Sequence, residues 1–238
     1  MNRCIVLFLT AVAIVPVGGC GLAGLAGSGV AASRSVDAKD FTAVEVDGPF
    51  EVTLERGDKF SVTITGDDNL LPLIDVQNAA GKLSIGIQSG QNVRPKSGLK
   101  AKINMPAIEA VDLRGACSGS INGFKGGKDL KVNVEGASTI TGEIQAGKLT
   151  LEAGGASQIN LTGQARECRA EAQGASQLHL GELAVEKAVV QLDGASSGAV
   201  KASDKLDYEL NGASHLDYRG SPKIGNKEVQ GASSVSPQ

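Results

Sequence analysis

The chain has 238 residues, enough for one elongated domain, and sets 23 Lys and Arg against 26 Asp and Glu for a net charge of −3. That balance leaves no basic footprint for nucleic acid, and no nucleic-acid partner is expected. With no Trp and aromatic residues at 3%, there is little from which to build stacking platforms for bases or sugars.

Residues 1–19 read as an export leader. Arg3 supplies a positive start, and the apolar run from Cys4 to Val17 is too short to span comfortably as a stable membrane helix. Its end, Val17-Gly18-Gly19-Cys20, resembles the bacterial lipoprotein lipobox. The resemblance implies cleavage before Cys20, a lipid on Cys20, and an exported protein anchored to a membrane and facing the periplasm or the cell surface. An ordinary secretory signal would also export the chain. Loss of Arg3, one basic residue, would take the net charge from −3 to −4. Residues 20–39, rich in Gly, Ala and Ser, read as the lipidated cysteine followed by a flexible tether.

From Phe41 short alternating runs begin: Val44 and Val46; Phe50, Val52 and Leu54; Phe60, Val62 and Ile64; Leu83, Ile85 and Ile87; Ile103 and Met105. Turn signals separate them at Asp47-Gly48-Pro49, Arg56-Gly57-Asp58, Gly66-Asp67-Asp68-Asn69 and Ala80-Gly81-Lys82. Residues 40–110 therefore read as irregular β-structure that either starts a solenoid or caps its first edge.

Residues 111–238 are strictly periodic. Seven tripeptides, each Gly-Ala followed by Ser or in one case Cys, start at Gly115, Gly136, Gly155, Gly174, Gly194, Gly212 and Gly231. The steps between their glycines are 21, 19, 19, 20, 18 and 19 residues. Around each one, apolar residues share one parity, as in Leu149, Leu151, Ala153, Ser157, Ile159 and Leu161, which is strand periodicity. A coil of this length has a perimeter of about 60 Å, and seven stacked at about 4.8 Å span roughly 29 Å. The fold class predicted is an all-β, right-handed parallel β-helix with coils of about 19 residues. Each glycine marks a corner where a β-carbon would obstruct the bend or where φ is positive, and the Ser two residues on faces inward to bond the corner backbone. Cys117 fills one Ser slot. It lies more than two coils from Cys168, too far for a disulfide, so both are expected free and buried.

The succession Asp47 to Leu54, Val62 to Leu71, Gly81 to Ile85, Met105-Pro106 and then Gly-Ala-Ser coils resembles the head GIN domain family, which carries the name autotransporter adhesin. The resemblance covers residues 40–238. It implies a β-helical fold and an envelope location, and brings no catalytic residues with it.

Three candidate features remain. Gly194-Ala195-Ser196-Ser197-Gly198 matches a nucleophile elbow, but an inward Ser on a repeated corner cannot serve as one. His179 and His215 fall in different outward columns, and no Cys/His metal spacing occurs. Three residues before each corner glycine stand Asp112, Asn133, Glu152, Glu171, Gln191, Glu209 and Glu228. The acidic members form a possible cation or partner column, with a solvated charged face as the plainer alternative. The reading is a non-catalytic, lipid-anchored envelope protein, either a binding, adhesin-like module or a structural one. It has no cofactor, and its partners are the membrane and an envelope or surface ligand, protein or glycan. A polysaccharide-active enzyme and a periplasmic scaffold or sensor are the alternatives.

Overall fold

A computed structural model describes residues 24–238, so Cys20 and the leader lie outside the described residues. The first nine strands are β1 (Leu25–Ala26), β2 (Ala31–Val36), β3 (Ala43–Gly48), β4 (Phe50–Arg56), β5 (Ser61–Asp67), β6 (Ile74–Ala79), β7 (Lys82–Ile87), β8 (Val93–Arg94) and β9 (Leu99–Met105). Ten more follow: β10 (Ala110–Gly115), β11 (Ser118–Asn122), β12 (Leu130–Val134), β13 (Thr139–Ala153), β14 (Gln158–Ala172), β15 (Gln177–Leu192), β16 (Ser197–Leu210), β17 (His215–Arg219), β18 (Lys223–Val229) and β19 (Ser234–Pro237). From β10 onward successive coils pair in parallel, residue on residue apart from shifts within the β14–β15, β15–β16 and β16–β18 pairings, giving the expected β-solenoid. Inward columns such as Leu113, Val134, Ala153, Ala172, Leu192 and Leu210 are buried and fill the bore.

All seven corner glycines have positive φ, between 73° and 85°. Each corner is also a rung of the ladder. Ala156 N–H donates to the Gly136 carbonyl at 2.8 Å, Ala175 to Gly155 at 2.8 Å and Ala213 to Gly194 at 2.7 Å. A β-carbon on Gly155 would lie 2.6 Å from the Gly136 carbonyl oxygen, so both reasons for glycine operate together. The inward serines close the turn. Ser157 Oγ donates to the Gly154 carbonyl at 2.8 Å and Ser196 Oγ to the Asp193 carbonyl at 2.8 Å. The Ser176 hydroxyl also accepts the Ser157 N–H of the coil before, at 3.4 Å. In the slot of Cys117, the thiol sits 3.1 Å from the Gly48 carbonyl. Cys117 and Cys168 are free and buried, and burial pushes the Cys168 thiol up to about 12.

Two expectations are corrected. Regular stacking begins well before residue 111. The β3–β4 coil pairs in parallel with β10 and β11, placing Gly48 in register with Gly115 as a further corner. This coil was hard to see because Pro49 and Phe50 stand where later corners carry Ala and Ser. On its other side β3 and β4 pair with β7 and β9. The chain thus builds the second layer first, goes outward, and returns to stack above it. β6 lies antiparallel on β7, β5 antiparallel on β9, and β2 antiparallel on β5, which covers the first edge. Residues 40–110 are therefore both the start of the solenoid and its cap.

The second correction is the tether. From residue 24 the chain is fastened, with β1 on β8 and β2 on β5. The reason is the acidic turn after β5. The fully buried Asp67 carboxylate accepts N–H groups of Gly29, Lys96 and Ser97 at 2.7, 2.9 and 3.2 Å, and the Ser97 hydroxyl at 3.0 Å. Asn69 Nδ2 donates to the Ala26 carbonyl at 2.9 Å. Small residues that resemble a linker are here what lets the backbone approach: a β-carbon on Gly27 would lie 2.2 Å from an Asp67 oxygen. Among the described residues the far end of the stack has no such cover, and Val229 is 47% exposed there.

Candidate binding groove

Register assembles the acidic column as the spacing predicts. Asp112, Asn133, Glu152, Glu171, Gln191, Glu209 and Glu228 are successive partners across the coils. The structure also interleaves it with opposite charge. Lys131 pairs with Glu152 at 2.8 Å, Arg169 with Glu171, and Arg114 with Asp112, while Asn133 Nδ2 donates to Asp112 at 3.2 Å. Burial pushes the Asp112 carboxyl above its ordinary value, against the pull of Arg114. The concavity beside the column is small, about 190 Å³. Among the described residues no group of three His, Cys, Asp or Glu side chains converges as a metal site. Surface pairs of this kind contribute about 0–1 kcal/mol. The double variant Glu152→Gln/Glu171→Gln is therefore expected to stay within about 1 kcal/mol of wild type in denaturant melts. It should do so with or without millimolar Ca²⁺. A Ca²⁺-dependent gain confined to wild type would identify the column as a cation site.

The other nominated residues stay apart. His179 is exposed beside Gln177, and His215 bonds Ser234 at 2.8 Å and faces Asp217 at 3.2 Å. Ser196 is buried in its corner.

A larger concavity lies elsewhere, at the second bend of the coils. In the coil of Gly155 the inward positions run Ser157, Ile159, Leu161, then Ala165, then Cys168, Ala170 and Ala172. The skipped steps around Ala165 turn the chain, and the neighbouring coils turn beside it, at Ala146, Val185 and Ala202. The resulting groove, about 630 Å³, follows the solenoid axis from Lys125, Gly126 and Gly127 at one end to Gly220 and Ser221 at the other. Its floor is the register column Ala146, Ala165, Val185 and Ala202, all buried. One wall is the column Gln145, Gln164, Ala184 and Lys201. The other carries Gly147, Arg166, Glu186 and Ser203. The loop at the first end is tied down by Gly127 N–H to the Gln145 carbonyl at 3.0 Å and Gly147 N–H to the Lys128 carbonyl at 3.1 Å. Beside it a second hollow of about 120 Å³ is lined by Pro106, Ile108, Phe124, Leu130 and Ile144, with Arg56 and Lys128 also facing it.

The groove differs in charge from the rest of the molecule. Lys125, Arg166 and Lys201 line it against a single carboxylate, Glu186. Lys125 pairs with Glu143 at 2.9 Å. Arg166 and Lys201 are exposed and carry no ion pair among the described residues. Amides and hydroxyls fill the places between. A preformed cleft of this volume, with a small apolar floor and spaced polar groups, is of the kind that holds an extended ligand.

Comparison with known proteins agrees on the fold. The family model described as "Putative auto-transporter adhesin, head GIN domain" matches residues 40–222. A "putative adhesin" from Bacteroides fragilis aligns with a TM-score of 0.84 at 19% identity, covering 90% of this chain and 100% of its own. A "putative lipid binding protein" from Parabacteroides distasonis gives 0.72 at 19% identity, with 90% and 99% covered. A "putative adhesin" from Parabacteroides merdae gives 0.69 at 21% identity, again with 90% and 99% covered. No curated protein matches. At these identities the likeness is one of fold. With a family model spanning most of its length, the chain is a member of the head GIN domain family of autotransporter-adhesin-like proteins.

Proposed function

We propose that this protein is a non-catalytic binding module of the cell envelope, held at a membrane by a lipid on Cys20 and engaging an extended envelope or surface ligand along the axial groove. The observation that carries this reading is the groove itself: a bend repeated from coil to coil aligns floor and walls over successive coils. Parallel ladders hold those walls in place before any ligand arrives, which lowers the ordering cost of binding. The adhesin names of the family and of structural neighbours support a contact role at the surface.

The groove is tested by filling it. Ala184 is exposed on the wall, so Ala184→Trp places an indole in the cleft without entering the core. Retention of the protein on isolated envelope polysaccharide is expected to fall at least tenfold while the melt is unchanged; undiminished retention removes the groove from the function. The anchor is tested by Cys20→Ser, which should move the protein from membranes to the soluble exported fraction. One acyl chain binds a membrane only marginally, so stable retention of wild type implies more than one. A Cys20→Ser protein that stays on the membrane would defeat the anchoring.

A further inference from the structure

The order of charges along the groove specifies what kind of extended ligand fits it. Taking the coils in turn from the loop after β11, they present Lys125, then Gln145, then Arg166, then Glu186, then Lys201, then Ser221. Positive side chains thus recur on every second coil, Arg166 and Lys201 from opposite walls, about 10 Å apart along the axis at the strand spacing of about 4.8 Å. The coil between the two unpaired cations carries the carboxylate. Around 0.1 M salt the screening length is also about 10 Å, so each position acts on the ligand group beside it rather than as one diffuse field.

From this we infer that the groove binds a linear acidic polysaccharide whose carboxylates recur on alternate sugars. The inference rests on the groove being the binding surface. In an extended glycan each pyranose advances by roughly the rise of one coil. A carboxylate on every second sugar therefore meets Arg166 and Lys201 in turn, and the neutral sugar between them lies against Ala184 and Glu186, where a sugar hydroxyl can donate to the carboxylate. A glycan charged on every sugar would set one carboxylate against Glu186. Gln145 and Gln164 offer amides to ring and hydroxyl oxygens, and the Ala and Val floor accepts the C–H face of the rings. No aromatic side chain lines the groove. Charge and hydrogen bonds must then supply the affinity that stacking supplies elsewhere.

The experiment titrates the purified full-length protein, in detergent, with three oligosaccharides of equal length: a hyaluronan fragment (carboxylate on alternate sugars), an oligogalacturonate (carboxylate on every sugar) and a neutral cello-oligosaccharide. The hyaluronan fragment should bind most tightly, and its affinity should fall as salt rises. Arg166→Gln and Lys201→Gln should each weaken it by roughly tenfold, the loss typical of a charged hydrogen bond. Both residues are exposed, so the fold should survive, with circular dichroism as the check. Glu186→Gln should raise affinity for oligogalacturonate more than for hyaluronan. Three results would overturn the inference: equal binding of the neutral sugar, no binding of either acidic one, or affinity for the hyaluronan fragment unmoved in the Arg166→Gln/Lys201→Gln variant. The Ala184→Trp variant separates the two levels. If it abolishes binding of a neutral glycan that the charge variants leave untouched, the groove stands and the acidic ligand falls. If charge-dependent binding survives it, both fall.

Discussion

Gly174→Val is expected to lower the melting midpoint by about 6–12 °C, the shift for roughly 3 kcal/mol in a domain of this size. Two independent costs add. The residue sits at φ +80°, and forcing a β-branched side chain there costs on the order of 1–3 kcal/mol. Its β-carbon would also lie 2.6 Å from the Gly155 carbonyl oxygen, which already accepts the Ala175 N–H at 2.8 Å. Relieving that clash means lengthening or breaking a buried rung, at a further ~1 kcal/mol. Ala175→Ser, one residue on and exposed, should stay within about 0.5 kcal/mol of wild type. Thermal melts of the two variants side by side decide the matter. Equal effects would mean that the bend is not where the glycine column puts it.

Asp67→Asn should release the first edge of the molecule. One oxygen of Asp67 receives the N–H groups of Lys96 and Ser97, and the other receives Gly29 N–H and the Ser97 hydroxyl. An amide would turn one of those acceptors into a donor facing donors. The loss should exceed that of any single corner serine, since Ser176→Ala removes one hydroxyl and Asp67→Asn disorganises four bonds. It should appear as fast hydrogen exchange at residues 24–30 and 96–98 while the coils from β12 onward stay protected. Acid should mimic it. Burial alone would raise the Asp67 carboxyl, but the N–H donors of Lys96, Gly29 and Ser97 and the Ser97 hydroxyl outweigh it and hold the pKa below the ordinary aspartate value. A depressed folded pKa gives stabilisation that is complete above the unfolded pKa, about 3.9, and that is lost as pH falls through the lower folded value. The wild-type edge should therefore loosen below about pH 4, and the Asn variant should lack that acid limb. An unchanged acid limb in Asp67→Asn would assign the titration to another group.

What was legible in the sequence was what repeats at a constant offset from the corner glycine. The glycine φ, the inward Ser, the outward Ala and the acidic column all sit within a few residues of that corner, and strict alternation carries the reading to them. The groove lies at the second bend, where the differences among coil lengths are absorbed. Register shifts occur there between Asn160 and Gly163, between Leu180 and Ala184, and between Val185 and Lys187. Ala146 and Ala165 share one offset from their corner glycines, but Val185 stands one residue further on and Ala202 two residues nearer, so no fixed offset finds all four. At the front the difficulty was of another kind. Gly-, Ala- and Ser-rich composition signals a linker when nothing receives it, and a close-packed edge when a buried carboxylate does. Asp67, some forty residues downstream, decides between these, and local composition cannot see that far.

The layer order at the capped end has a consequence for how the molecule is made. β3 and β4 are made before any of their partners, β7 and β9 on one side and β10 and β11 on the other. Within this stretch the β6–β7 hairpin closes locally, over Ala80 at φ 52° and Gly81 at φ 77°, the paired left-handed conformation of a tight two-residue turn. Every other pairing there waits on distant chain, and long-range strand pairing is slow. Folding should therefore pause until about residue 122 is available and then run quickly, since each later coil needs only the one before it as a template. The solenoid grows in one direction from a nucleus that closes late, and a truncation inside the first 122 residues should leave no folded remnant, whereas one at a later corner should leave a shorter, intact stack.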